Sequence, residues 1–299
     1  MAMKSPLPVS LSGRDLLRIT DLVPAEAEAI LDLAEQLKDD RTPRLPGRTL
    51  GLIFGQPSTR TRISFGVAIV QLGGGFVTLT PTEMQLSRGE SLSDTAQVLS
   101  RYLDALAIRV LSHDELEAWA AAADIPVINA LTSVEHPCQA LADALTIRRR
   151  LGGLDGVRVA WVGDGTNVLV SLAEIAKLTG MEVVAACPEG YDPPKGTPLQ
   201  LVRDPREAAA GADVLVTDIW VSLGQEDERD RRLRDLAPFQ LDESLVSIAS
   251  PEAIVLHCLP AHPGEEITAG VIYGSQSAVW DEAENRLHVQ KALLALLLG

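Results

Sequence analysis

The constraint that most narrows the fold is a regular exchange of short aliphatic runs for longer segments of helical period. The stretch "DLVPAEAEAILDLAEQLKDD" places Ala27, Ile30, Leu31, Ala34 and Leu37 at helical spacing. After it, "TLGLIF", "GFVTLT", "DALAIRV" and "PVINA" read as buried strands, separated by the helical segments "RISFGVAIVQLGG" and "SLSDTAQVLSRYL" and followed by "CQALADALTIRRRLG". Strands that alternate with helices imply a parallel sheet covered on both faces. Glycines cluster at "LGGLDGVRVAWVGDG", and a second alternation begins near Gly152 with "VRVAWV", "LVSLAEIAKLTG", "EVVAAC", "ADVLVTDIW" and "AIVLHCLP". The expectation is therefore two doubly wound α/β domains with the active site in the cleft between them. The first covers residues 1–147, with a closing helix over 284–299 packing back on it, and the second covers 148–283.

A chain of 299 residues is long enough for two cores. Its 46% hydrophobic and 22% charged residues exclude disordered and collagen-like classes. A formal net charge of -15 disfavours nucleic acid and anionic membranes as partners, so an anionic ligand has to be caught by a local basic group. Cys138, Cys187 and Cys258 are three widely spaced cysteines, which argues against a disulfide framework and for a reducing, cytoplasmic setting. The beginning "MAMKSPLPVSLSGRDLL" has no apolar core of signal-peptide length, and "ALLALLLG" is too short to span a bilayer.

Polar residues fall where strands are expected to end: Ser58 to Arg62, Arg109, His136, Asp164 to Asn167, Asp218 to Ser222, and His257 with Cys258. In doubly wound sheets that edge binds ligands. In "PSTRTR", helix-start N–H groups, the hydroxyls of Ser58, Thr59 and Thr61, and the Arg60 guanidinium suit a phosphate dianion. A plain helix cap needs only one hydroxyl, and two arginines in a first turn oppose the helix dipole unless an anion is present. "EHPCQALAD" sets His136 and Gln139 at another helix start, where a lone histidine is commonly structural. Arg109 ends an apolar strand and needs an anionic partner, for which a simple salt bridge is the bland reading. "GDGTNV" lacks the third glycine of a dinucleotide loop, and the next strand ends in Cys187 and Pro188 in place of the acidic residue an oxidoreductase of that kind needs. Asp218 and Ser222 can meet an ammonium and a carboxylate, or merely cap the charged helix "DERDRRLRDL". His257, Cys258 and His262 invite a metal reading, but no second ligand pair accompanies them, so no metal and no cofactor are expected.

Taken together, Ser58-Thr59-Arg60-Thr61 and His136-Pro137-Cys138-Gln139 followed by "ALAD" resemble the two signatures of the aspartate/ornithine carbamoyltransferase family. "WVGDGTNVLVSL", "TDIWVSLGQE", "HCLPAH" and "DEAENRLHVQKALL" resemble its ornithine branch. The resemblance covers nearly the whole chain. It implies attack of the δ-amine of ornithine on carbamoyl phosphate to give citrulline and phosphate, a step of arginine biosynthesis or a urea-type pathway. It implies that Ser58, Thr59, Arg60 and Thr61 hold phosphate and that Arg109 bridges phosphate and carbamoyl oxygen. His136 and Gln139 would bind the carbamoyl group and Arg286 would close over it. Asn167, Asp218, Ser222 and the backbone of Leu223 would hold ornithine, with Cys258 and Leu259 near the attacking amine. Gln85 would reach a neighbouring subunit's site, which implies a homotrimer or a multiple of one. Arg109, His136 and Cys258 are then the candidate catalytic residues.

Three departures from the family pattern stand out. Gly55 and Gln56 occupy positions where ornithine enzymes carry an acidic then a basic residue. Leu223 replaces a methionine, and "EGYDPPKGTPLQLVRDPREA" is short and proline-rich, which predicts a truncated surface element. Alternatives from the same residues are a carbamoyltransferase for putrescine or N-acetylornithine, and a non-catalytic carbamoyl-phosphate-binding protein. Putrescine lacks the α-carboxylate of the amino-acid head that Asn167, Asp218 and Ser222 would serve, and acetylation removes the ammonium.

Overall fold

The computed structural model describes residues 9–222 and 224–299, so Leu223, expected in the acceptor site, lies outside the described residues. The chain divides into two compact units, one formed by the residues up to Leu141 with Arg286–Gly299, the other by Ala142–Asn285. The division falls within the helix Pro137–Leu151.

In the first unit, β1 (Thr49–Phe54), β2 (Gly75–Leu79), β3 (Ala105–Arg109) and β4 (Val127–Leu131) form a parallel sheet of order β2-β1-β3-β4. Leu50 to Phe54 of β1 and Ala105 to Ile108 of β3 are all buried, which is why both strands read as continuous apolar runs. Ile53, Leu106 and Ile108 pack in one cluster with Met84, Leu116, Trp119 and Val127. The helix Pro24–Leu37 opens on proline, where a missing N–H costs nothing, and Glu26 accepts from the Val23 N–H at 3.0 Å. All five of its expected inward positions are buried. At its far end the wholly buried Lys291 donates to the Leu37 carbonyl at 2.7 Å and to the Asp40 carbonyl, so the closing helix satisfies acceptors that helix termination would otherwise orphan.

In the second unit, β5 (Arg158–Val162), β6 (Glu182–Ala186), β7 (Gln200–Val202), β8 (Val214–Thr217) and β9 (Ile254–His257) form a parallel sheet of order β7-β6-β5-β8-β9. Ala160, Val162, Leu215 and Val255 of this sheet share a core cluster with Phe239, Leu241, Ile267 and Val279.

Both sheets reverse direction at one point. The chain leaves β1 for β2 on one side and β3 on the other, and it leaves β5 for β6 on one side and β8 on the other. The crevice past the strand ends at such a switch is where doubly wound sheets bind ligands. Ser58 to Arg60 follow β1 and Arg109 ends β3; Asp164 to Asn167 follow β5 and Asp218 follows β8. No helix among the described residues is long and apolar enough to cross a membrane.

Candidate active site

In the first unit the loop after β1 turns into the helix Thr59–Gln71. Ser58 is its N-cap, with extended backbone and a hydroxyl that accepts from the Thr61 N–H at 3.4 Å. Ser58 therefore serves as the cap, while Thr59 stays exposed and Arg60 half-exposed. Thr61 is fully buried, and its hydroxyl accepts from Arg286 Nη2 at 2.6 Å. Arg62 turns away: it is exposed and its guanidinium lies 5.6 Å from the centre of the Phe54 ring.

His136 is 3% exposed. Burial pushes its pKa well below the usual imidazole range, and the positive charges of Arg286, Arg109 and Arg60 push in the same direction. The side chain is thus a neutral imidazole facing three guanidinium groups. A built loop holds it. The Thr132 hydroxyl accepts from the Val134 and Glu135 N–H groups at 3.3 Å, Asn129 donates to the Leu17 carbonyl at 2.8 Å, and Glu135 accepts from the Ile19 N–H at 2.9 Å. Leu131 enters this loop at φ 152, a conformation L-residues rarely adopt. Gln139 is fully buried one turn into the helix Pro137–Leu151, its N–H donating to the His136 carbonyl at 3.0 Å. Such a set offers hydroxyls and guanidinium groups to a dianion and a neutral N–H donor to a carbonyl oxygen.

Gly55 donates its N–H to the Arg109 carbonyl at 2.9 Å. A Cβ at Gly55 would come no closer than 3.4 Å to any neighbour, so the backbone has room for a side chain there and does not require glycine. Gln85 sits exposed at the start of the short 3-10 turn Gln85–Arg88.

The second unit gathers acidic and neutral donors. Asp218 is 6% exposed; its Oδ1 accepts from the Ile219 N–H at 2.8 Å and from Cys258 Sγ at 3.0 Å, and its Oδ2 from the Thr166 hydroxyl at 3.3 Å. Among the described residues, no lysine or arginine forms an ion pair with Asp218. Burial and the Asp218 carboxylate push the Cys258 thiol well above its ordinary range, so it is a proton-bearing donor and not a thiolate. Thr166 occupies the N-cap position of the helix Asn167–Thr179, yet its hydroxyl makes no cap bond and serves Asp218. Asn167 is half-exposed at the first turn of that helix. The Ser222 N–H donates to Gln225 Oε1, and the Gln225 N–H donates to the Ser222 carbonyl, each at 3.0 Å.

His257 is buried and shapes the turn that follows it. Its Nδ1 accepts from the Leu259 N–H at 2.9 Å, and its Nε2–H donates to Glu266 at 3.1 Å. Leu259 has φ 56, and its bond to Pro260 is cis. A left-handed leucine costs about 1 kcal/mol or more, and the His257–Leu259 bond helps hold it. The donor atoms of Asp218, His257 and Cys258 lie within 4.8 Å of one another, but both ring nitrogens of His257 are already engaged in other bonds.

The glycines of "GDGTNV" have a local cause. A Cβ on Gly165 would come within 2.3 Å of the Pro193 nitrogen, and the Gly165 N–H donates to the Tyr191 carbonyl at 2.8 Å. Glycine at this position thus answers to the close approach of the chain's own backbone at Asp192 and Pro193. The proline-rich stretch is correspondingly more than a surface element, since Tyr191 and Pro193 are buried. Thr166 lies in the expected polar stretch Asp164 to Asn167 without an expected role of its own, and Gln225 and Glu266 are not among the expected site residues. The only sequence signals for them are an N-cap position, a spacing of three from Ser222, and the run "HPGEE".

Comparison with known proteins agrees with this layout. Residues 14–149 match the aspartate/ornithine carbamoyltransferase carbamoyl-P binding domain, and residues 155–297 match the Asp/Orn binding domain of the same family. The chain is 53% identical to an ornithine carbamoyltransferase of Carboxydothermus hydrogenoformans, covering 97% of this chain and 99% of that one. It is 52% identical to the ornithine carbamoyltransferase of Nostoc punctiforme over the same shares. The solved ornithine carbamoyltransferase from Pyrococcus furiosus superposes with a TM-score of 0.93 at 47% identity, covering 97% of this chain and 99% of that one. The enzyme from Thermus thermophilus does so with a TM-score of 0.89 at 46% identity, covering 95% and 99%. With both halves of the chain matched, the chain belongs to the aspartate/ornithine carbamoyltransferase family.

Proposed function

We propose that the protein is an ornithine carbamoyltransferase that moves the carbamoyl group of carbamoyl phosphate to the δ-amine of L-ornithine, giving L-citrulline and phosphate. The observation that carries the choice of acceptor is Asp218, a nearly buried carboxylate with three hydrogen-bond donors and, among the described residues, no cationic partner. Burying a carboxylate is costly without a counter-charge, and the α-ammonium of an amino acid would supply one. N-acetylornithine offers no such group, and putrescine, which keeps a second ammonium, lacks the carboxylate that Asn167 and Ser222 would meet.

In this reading Ser58, Thr59, Arg60 and Thr61 bind the phosphate. Arg109 spans phosphate and carbamoyl oxygen, and Arg286, hydrogen-bonded to Thr61, sits against the same group. His136 and Gln139 hold the carbamoyl group, the neutral imidazole donating a hydrogen bond to oxygen as negative charge develops there. Asn167, Asp218, Ser222 and the Leu223 backbone hold ornithine. Cys258 and Leu259 orient the δ-amine, and a protonated thiol is suited to that task and not to covalent attack. The δ-ammonium of ornithine loses one proton to solvent, its nitrogen attacks the carbonyl carbon to give a tetrahedral intermediate, and the carbon–oxygen bond to phosphate breaks as the second proton of that nitrogen passes to the departing phosphate. No cofactor enters this scheme.

The same reading assigns a homotrimer in the cytoplasm, with Gln85 serving a neighbouring subunit's site. Ile63, Val67 and Val70 form an exposed apolar stripe along the helix Thr59–Gln71, and Phe76 and Val77 of the edge strand β2 are also exposed. Apolar surface of this kind fits subunit contacts. The test is ureido product formed from carbamoyl phosphate with L-ornithine, putrescine, N-acetylornithine or L-aspartate, run beside light scattering for assembly mass. Strong preference for ornithine supports the assignment, and no product from any amine overturns it.

A further inference from the structure

Arg232 belongs to the charged segment "DERDRRLRDL", which reads as a solvated helix, yet it is only 5% exposed within the helix Arg229–Leu236. Its Nε donates to the Trp220 carbonyl and its Nη2 to Asp164 Oδ2. Its guanidinium lies 5.0 Å from the centre of the Tyr191 ring, whose hydroxyl donates to Asp235 at 2.9 Å, and Nη1 stands 3.7 Å from Glu228. Asp164 is itself fixed through its carbonyl, which accepts from Trp161 Nε1 and the Thr166 N–H, both at 2.9 Å. Burial pushes the Asp164 carboxyl up, and the guanidinium of Arg232 opposes that push.

The two anchors of Arg232 lie on different segments. Trp220 stands between Asp218 and Ser222, and Asp164 directly precedes the turn that carries Thr166 and Asn167. We infer that Arg232 is a positioning residue for the acceptor substrate: its planar fork sets the spacing between the Asp218–Ser222 loop and the Asp164–Asn167 loop. A fork bridging two acceptors fixes both distance and orientation, which an ammonium on a flexible stem does not. Because catalytic geometry tolerates displacements of only about 1 Å, release of either anchor should weaken acceptor binding before it harms anything else. The inference rests on the acceptor assignment proposed above.

The test is steady-state kinetics of the full-length protein carrying Arg232→Lys, Arg232→Gln or Asp164→Asn, with each substrate varied in turn and thermal melting measured alongside. Arg232→Lys keeps the charge but not the two-point fork. The expected result for all three variants is a KM for ornithine raised about tenfold or more, with the KM for carbamoyl phosphate within about twofold of wild type. A purely structural salt bridge would lower the melting temperature and leave both KM values in place, and that result overturns the inference, as does an equal rise for both substrates. Asp164→Asn keeps the Trp220 anchor, so it decides the matter if the Arg232 variants do not accumulate as folded protein. Absence of citrulline from the wild-type protein would instead overturn the acceptor assignment itself, so the two failures are distinct.

Discussion

Replacing Asp218 by asparagine removes one charge and almost nothing else. The amide oxygen can take over the bonds that Oδ1 accepts from the Ile219 N–H at 2.8 Å and from Cys258 Sγ at 3.0 Å, and the amide nitrogen can donate to the Thr166 hydroxyl, which stands 3.3 Å from Oδ2. Under the proposed assignment the α-ammonium of ornithine then loses its counter-charge. Two unit charges about 4 Å apart attract by about 4 kcal/mol gross at an effective dielectric of about 20. After desolvation, a charge-assisted hydrogen bond retains about 1.5–3 kcal/mol. That corresponds to a loss of about 10- to 150-fold in kcat/KM for ornithine at roughly 1.4 kcal/mol per decade. Citrulline formation would be followed at saturating carbamoyl phosphate with ornithine varied, and then ureido product with N-acetylornithine in its place. N-acetylornithine carries an uncharged amide in place of the α-ammonium, so any slow turnover of it should be nearly indifferent to the substitution, and the ornithine-to-N-acetylornithine preference should fall by the full factor. An equal loss for both amines would refute the pairing of Asp218 with the ammonium.

Arg60→Ala should reduce kcat/KM for carbamoyl phosphate by about 1.5–3 kcal/mol, or 10-fold and upward, and initial rates with carbamoyl phosphate varied will show whether it does. An alkyl amine titrates near about 10.4, so turnover at subsaturating ornithine should climb as pH rises from about 7 to 9, and a flat profile would count against attack by the free amine as the slow step. His136 and His113 both have pKa values lowered by burial. The unfolded chain therefore binds more protons just below about pH 6.5 than the fold does, so their contribution to stability is complete above that value and declines as pH falls through it. Melting temperatures at about pH 7.5 and 5.5 measure this. Cys138 and Cys187 are pushed up to about 12 by burial and Cys258 well above its ordinary range, so the native protein should resist iodoacetamide at about pH 8 and label fully once unfolded, as mass spectrometry would detect.

Much of this architecture is written in local pattern. The buried parallel strands read as apolar runs, and the loop proposed to bind phosphate stands out because hydroxyls and arginines at a helix start have few other uses. What stays hidden depends on direction and on pairing across sequence. Arg60 and Arg62 look equivalent in "STRTR", yet Arg60 stands among the charges around His136 while Arg62 stacks on Phe54. Arg232 looks like any solvated arginine, although its spacing of four from the buried Leu236 places it on the inner helix face. Gly163-Asp164-Gly165 suggests a nucleotide turn, whereas Gly165 answers to a close approach of Pro193, a residue far along the chain that no local pattern connects to it. Short β7 escapes a reading by period because its three residues, Gln200–Val202, are too few to show one.

The first unit is discontinuous in sequence, and that has a bearing on how the chain is made. Arg286 and Lys291 arrive on its final segment, Arg286–Gly299, after every residue of the second unit has been synthesised. Until then the Leu37 and Asp40 carbonyls lack their ammonium and Thr61 lacks its guanidinium. On the ribosome, the second unit has its whole sequence available first, and the first unit waits for its closing helix, inverting the usual amino-terminal order of domain folding. A gene cut between Leu141 and Ala142 would accordingly yield an amino-terminal fragment without Arg286, whereas a circular permutation that opens the chain elsewhere could deliver that helix early.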